Sequence, residues 1–187
     1  MNSDLRPVEA GNPKFLKKLA TMGVDVHACF QCGRCSSGCP VADFFDLTVM
    51  QVVRLAAYGM EDILLQSKTI WLCAACETCA TRCPNEIEIA GLMDVLRSLA
   101  LKKGIVPAEP RVPKLHRSFL DSVRYWGRAY EVGMLAVYKL RSGDLAGDMK
   151  LGMQMLAKGK LKLLPQGIKG KAEVRRIFAG KGKEYER

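Results

Sequence analysis

Eight cysteines fall in two groups, Cys29, Cys32, Cys35, Cys39 and Cys73, Cys76, Cys79, Cys83. Each group is spaced C-x2-C-x2-C-x3-C and each is followed by proline, Pro40 and Pro84. The second group repeats the first at an offset of 44 residues, the one clear internal repeat in the 187-residue chain. Thiols at this density oxidise or scavenge metal unless they are ligated, so the pattern points to metal ligation rather than to disulfides in a reducing compartment. That compartment is expected because Met1 to Pro7 shows no basic stretch leading into an apolar run. No apolar stretch approaches the roughly 18 residues needed to span a bilayer, so a cytoplasmic protein with no membrane span is the expectation.

Four thiolates are what a cubane iron–sulfur cluster needs. Three cysteines at two-residue gaps can wrap one region of a cube in a tight loop, and the fourth, before proline, is thrown clear of it. In two-cluster proteins of this spacing the fourth cysteine ligates the other cluster. The expected sets are therefore Cys29, Cys32, Cys35 and Cys83 for cluster I, and Cys73, Cys76, Cys79 and Cys39 for cluster II. The two prolines lack an N–H and hold the preceding cysteine extended, which turns the chain out of each loop. Gly33, Ser36, Ser37 and Gly38 are small enough for backbone N–H groups to approach sulfur. Zinc is the competing assignment, since structural zinc sites use pairs of C-x2-C. Four cysteines at one fixed spacing, twice over, favour two [4Fe–4S] clusters. His27 and His116 are read as ordinary surface or capping residues, and Trp71 as a packing residue or a shield for cluster II.

The rest of the chain carries helix signals and no convincing strand alternation, so the fold class expected is all-α. Asn12 as N-cap and Pro13 open a helix with Phe15, Leu16 and Leu19 on its apolar face, ended by Gly23. Asp46 or Thr48 caps a helix bearing Leu47, Met50, Val53 and Ala57, with Thr48 and Gln51 as a capping box and Gly59 as its stop. A short helix is expected over Asp62 to Leu65. Ile87, Leu92, Leu96 and Leu99 share a helical face that ends at Lys102, Lys103 and Gly104. After Pro107, Pro110 and Pro113, the three- and four-residue steps of Leu115, Phe119, Val123, Trp126, Tyr130, Met134 and Val137 predict one long amphipathic helix ending near Gly143. Asp144 is read as the cap of a further helix, Lys160 to Lys171 as a Gly/Pro/Lys-rich stretch, and Val174, Ile177 and Phe178 as a last short helix.

Charge divides the chain. Residues 1–110 carry 11 Lys/Arg against 12 Asp/Glu, whereas residues 111–187 carry 18 against 7, so the net +10 lies wholly in the C-terminal part. With Arg117, Arg124, Arg128 and Lys139 flanking its apolar face, this part reads as a docking arm for a partner subunit. No nucleic-acid-reading motif accompanies the basic charge, which alone is weak evidence for such binding. Arg34 in the first loop and Arg82 beside Cys83, against Glu77 in the second loop, predict that cluster I has the higher potential.

The helical 33-residue segment between Cys39 and Cys73 resembles the α-helical ferredoxin domain of succinate dehydrogenase and fumarate reductase iron–sulfur subunits. The chain is more similar still to the iron–sulfur C subunit of the soluble heterodisulfide reductases. The similarity rests on Cys29-Phe30-Gln31-Cys32-Gly33-Arg34-Cys35, Gly38-Cys39-Pro40, Ile70-Trp71-Leu72-Cys73, Arg82-Cys83-Pro84 and Ile87-Glu88-Ile89. It continues less specifically through Gly127-Arg128, Tyr130-Glu131, Leu161 to Pro165 and Ile168-Lys169-Gly170. The resemblance implies an electron-transfer protein with no catalytic residues of its own. It would relay electrons from the flavin-containing subunit of heterodisulfide reductase to the catalytic subunit that reduces the CoM-S-S-CoB heterodisulfide, with hydrogenase or formate dehydrogenase modules upstream. The alternative is a relay for another oxidoreductase, of lactate- or glycolate-oxidase type or sulfur-oxidising type. The organisation expected is an N-terminal helical arm (1–23), a two-cluster domain (24–106) and a basic helical extension (107–187).

Overall fold

The computed structural model describes residues 11–144, 149–159, 164, 165 and 167–185. Residues 1–10 of the expected arm, and 160–163 and 166 of the Gly/Pro/Lys-rich stretch, lie outside them, as does the start of the helix assigned to an Asp144 cap. The described residues are helical and contain no strand. In chain order the helices are α1 (Pro13–Thr21), α2 (Arg34–Ser37), a 3-10 turn (Ala42–Phe44), α3 (Val49–Ala57), α4 (Glu61–Gln66), α5 (Thr69–Leu72) and α6 (Thr78–Thr81). They are followed by α7 (Ile89–Lys102), α8 (Arg111–Trp126), α9 (Glu131–Ser142), α10 (Met149–Ala157) and α11 (Lys171–Tyr185). None of the helices is long and apolar enough to cross a membrane. The chain divides between Glu109 and Pro110 into two compact units.

The first unit is built on α3, α4, α5 and α7, which pack on one another. Ile87, Leu92, Leu96 and Leu99 are all buried, as their spacing predicts. The inward face of α3 differs from the expectation: Val49, Val52, Val53 and Ala56 are buried, while Leu47, Met50 and Ala57 are not. The capping box fixes the register, since Thr48 Oγ1 accepts the Gln51 N–H and the Gln51 side chain accepts the Thr48 N–H. With the helix start pinned at Val49, Met50 turns toward the first cysteine loop instead.

Helices α1, α3 and α7 stop alike. In each, the N–H groups of a left-handed glycine (Gly23, Gly59, Gly104) and of the next residue return to carbonyls of the last turn, the Schellman arrangement. The α1 N-terminus is held to α4 and to the end of α7 through one carboxylate. Glu61 is buried and accepts from Asn12 Nδ2 at 2.8 Å and from Lys103 Nζ at 2.9 Å. A buried carboxylate is stable only when its lone pairs are satisfied in this way.

In the second unit the long helix predicted over Leu115 to Val137 is corrected to a hairpin of α8 and α9. Gly127 adopts φ +84°, which ends α8, and its N–H bonds Val123 O at 2.8 Å. The chain re-enters a helix after Ser122 Oγ accepts the Tyr130 N–H at 2.9 Å. Of the predicted stripe, Val123, Trp126, Tyr130 and Met134 are half-buried around the turn, whereas Leu115, Phe119 and Val137 are exposed. Arg141 of α9 clamps the pair, donating to Asp121 at 2.7 Å and to the buried Ser118 hydroxyl at 3.2 Å. The Lys171 ammonium at the start of α11 lies over the rings of Trp126 and Tyr125, 5.2 and 5.5 Å from their centroids.

Candidate iron–sulfur site

Each cysteine loop is shaped by two left-handed residues between its first three cysteines. In the first loop these are Gln31 (φ +62°) and Gly33 (φ +76°); in the second, Ala75 (φ +50°) and Glu77 (φ +58°). The positions correspond under the 44-residue repeat. Three of the four are not glycine, so the loops hold backbone strain at a place where a tight curl is needed. A one-turn helix follows in each loop, α2 and α6, and the two pack together. Gly38, at the end of α2, faces its repeat equivalent Arg82: a Cβ there would lie 1.9 Å from the Arg82 guanidinium.

The loops enclose two recesses, each of about 370 Å³ out to its open mouth. The first is lined by Cys29, Cys32, Cys35 and Cys83, with Met50, Val53, Ile87 and Ile89 among its walls. The second is lined by Cys73, Cys76, Cys79 and Cys39, with Val41, Phe45, Val49 and Met93 among its walls. Each recess therefore takes three cysteines from one group and the last cysteine of the other. All eight are free thiols. Cys32 and its equivalent Cys76 are exposed, and the other six are half-buried. The symmetry of the repeat thus extends to which sulfur faces water.

Polar groups near sulfur follow the repeat in part. The Ser36 hydroxyl lies 4.0 Å from Cys35 Sγ, and the backbone N–H groups of Ser36 and Ala80, 44 residues apart, favour the Cys35 and Cys79 thiolates. Burial pushes the Cys35 thiol up, and pushes that of Cys79 up to about 11, because the thiolate loses hydration that these N–H groups only partly replace. Cys76 is lowered instead: Thr78 Oγ1 lies 3.4 Å from its sulfur, and both the hydroxyl and the N–H of Thr78 can donate to a thiolate there. Metal ligation displaces the thiol protons in either case.

Long-range contacts anchor both loops. Asn85 Nδ2 donates to Ala28 O, which ties the segment after Cys83 to the start of the first loop. Ser36 Oγ accepts the Met50 N–H at 2.9 Å and fastens the same loop to α3. At the second loop the Asp46 carboxylate accepts from the hydroxyls of Ser67 and Thr69, both at 2.7 Å, and from the N–H groups of Lys68 and Thr69. Burial would raise the pKa of Asp46, but these four donors outweigh it and hold the carboxyl well below the usual carboxylate range. Arg97 of α7 donates to the carbonyls of Ile70 and Cys73. His27 is exposed, and Trp71 is buried in the core with no acceptor for its indole N–H. Asn85, Asp46 and Arg97 escape sequence reading in these roles because their partners lie 21 to 57 residues away.

The donor set fits an iron–sulfur cluster. It is all thiolate on largely apolar walls, as soft, sulfur-bridged iron prefers. Among the described residues no three Cys, His, Asp or Glu side chains converge on one point as a single tetrahedral ion requires. Four cysteines line each recess instead.

Residues 25–87 match the 4Fe–4S dicluster domain family. The chain is 34% identical over 101 residues to the C subunit of the H(2):CoB-CoM heterodisulfide,ferredoxin reductase of Methanothermobacter marburgensis, a match covering 53% of this chain and 55% of that one. It is 36% identical over 98 residues to the C subunit of the ferredoxin:CoB-CoM heterodisulfide reductase of Methanosarcina mazei, covering 52% and 60%. Identity to the iron–sulfur C subunit of the CoB–CoM heterodisulfide reductase of Methanopyrus kandleri is 31% over 110 residues, covering 54% and 57%. The chain spans between a half and two thirds of the length of these relatives. Over the matched stretch the chain is similar to the iron–sulfur C subunits of the CoB–CoM heterodisulfide reductases, and residues 25–87 match the 4Fe–4S dicluster domain family.

Proposed function

We infer that the chain is the electron-relay component of a heterodisulfide-reductase-type complex. In this reading Cys29, Cys32, Cys35 and Cys83 hold one [4Fe–4S] cluster, and Cys73, Cys76, Cys79 and Cys39 hold the other. The observation that carries it is the composition of the two recesses, each lined by three cysteines of one group and the fourth of its partner group. When bound, such clusters supply one-electron carriers. The chain itself curls the loops, exchanges the fourth ligands so that the two sites stay adjacent, and shields six of the eight sulfurs from full exposure. The exposed Cys32 and Cys76 mark one open edge per site, which suits entry at one and exit at the other.

The partners proposed follow from the relatives named above and from the second unit. The flavin-containing subunit of heterodisulfide reductase would deliver electrons, from hydrogenase or formate dehydrogenase modules. Its catalytic subunit would reduce the CoM-S-S-CoB disulfide to two thiols with two electrons and two protons. Residues 107–187 would serve as the docking extension. In support, this part carries the positive charge of the chain and leaves Phe119, Leu120, Tyr125 and Leu140 between 44% and 72% exposed. Apolar side chains on a basic surface are the composition of an interface rather than of an isolated domain.

Anaerobic affinity purification of the chain from its host tests the reading. The eluate is expected to contain a flavoprotein and a second cysteine-rich protein, and to reduce CoM-S-S-CoB with a low-potential dye. An iron-loaded eluate without that activity would assign the relay to a different oxidoreductase.

A further inference from the structure

Arg97 of α7 reaches the backbone at the start of the second loop. Its side chain is 12% exposed. The guanidinium donates through Nε to Ile70 O, through Nη2 to Cys73 O, and through Nη1 to the Asp94 carboxylate at 2.8 Å. The first two acceptors are carbonyls at the C-terminal end of α5, so the fork both closes that helix and fixes the residue that starts the second loop. A hydrogen bond to the carbonyl of Cys73 brings the positive charge within roughly 7 Å of that residue's sulfur by covalent geometry alone.

The charges counted from the loops behave differently. Arg34, Arg82 and Glu77 are all exposed. At equal distance a charge mostly out of water, at an effective dielectric near 20, acts roughly four times as strongly as one in bulk water near 80. Asp94 offsets Arg97 only in part, because its side chain is 65% exposed and its charge is screened by solvent.

We propose that Arg97 is a positioning residue for Cys73 and that its charge raises the electron affinity of the cluster on Cys73, Cys76, Cys79 and Cys39, offsetting the advantage that Arg34 and Arg82 give the other. This rests on the ligand sets given under Proposed function. The reaction concerned is addition of one electron, supplied by dithionite in the test, to an oxidised cluster with no bond made or broken.

The test is an anaerobic dithionite titration followed by electron paramagnetic resonance on the whole chain. A Cys29→Ala chain, which lacks the first site under either pairing, assigns each midpoint. Asp94→Asn removes an exposed carboxylate and is expected to fold normally. It should move the second site's midpoint positive while the first stays put. Arg97→Met should move the same midpoint negative, and Arg97→Lys, which keeps the charge without the fork, should lie between it and the parent. Both midpoints unmoved in Asp94→Asn and Arg97→Met, or both moved equally, would overturn the proposal. A parent chain that binds no iron would instead sink the ligand assignment on which it rests.

Discussion

Asp46 and Thr69, 23 residues apart, are joined twice through one carboxylate oxygen: Asp46 Oδ1 accepts the Thr69 hydroxyl at 2.7 Å and the Thr69 N–H at 3.0 Å. Thr69 is fully buried and its hydroxyl oxygen in turn accepts the Leu47 N–H at 3.1 Å, so the start of α5 is latched to the segment that precedes α3. Four residues later comes Cys73. The latch sets where the second cysteine loop begins.

Asp46→Asn is expected to lower stability by about 1–3 kcal/mol near neutral pH, since charge-assisted hydrogen bonds are exchanged for weaker ones and donors lose their acceptor. Solvent exposure of Asp46 places the loss toward the lower end. The folded pKa is depressed, so this contribution is complete above the unfolded value of about 3.9 and is lost as pH falls through the folded value. Thermal melts of parent and variant should therefore stay apart by a constant margin from about pH 5 to 8 and converge only in stronger acid. A margin that changes between pH 5 and 8 would place the effect elsewhere.

Gly33 and Glu77 occupy the same left-handed position of the two loops, at φ +76° and +58°. Nothing lies within 4 Å of a Cβ built on Gly33, so a side chain there meets only backbone strain. Gly33→Ala is expected to cost roughly 1 kcal/mol and Glu77→Gly to gain up to about as much, read as opposite shifts in the urea midpoint of the apo chain. Shifts of the same sign would show that the loops do not share this geometry.

Ending the chain after Glu109 removes the second unit, with its exposed Phe119, Leu120, Tyr125 and Leu140, but none of the eight cysteines. Iron per chain should be unchanged, while co-purification with partner subunits should be lost. A shortened chain that still brings its partners through purification would place the docking surface in the cluster-bearing unit.

The cysteine ladder, the Thr48–Gln51 capping box and the buried face of α7 were legible because each is set by neighbours within one or two turns. The α8–α9 hairpin was not, because one glycine conformation at Gly127 decides between a long helix and a pair, and the apolar steps from Leu115 to Val137 read the same for both. Asp46 was legible as a cap, but its donors belong to α5 rather than to α3. Arg97 looks in sequence like any surface residue of an amphipathic helix. Its acceptors are main-chain carbonyls 24 and 27 residues earlier, and a carbonyl carries no sequence signature.

Exchange of the fourth ligands is tested most directly by paired cysteine substitutions with iron and acid-labile sulfide counted per chain. Cys83→Ser combined with Cys29→Ser should damage one site and leave about four iron atoms of about eight, because both residues serve the same cluster. Cys39→Ser combined with Cys29→Ser should damage both sites and leave close to none. The reverse result, with the Cys29 and Cys39 pair retaining one intact cluster and the Cys29 and Cys83 pair retaining none, would contradict the crossed assignment and show that each group of four ligates on its own.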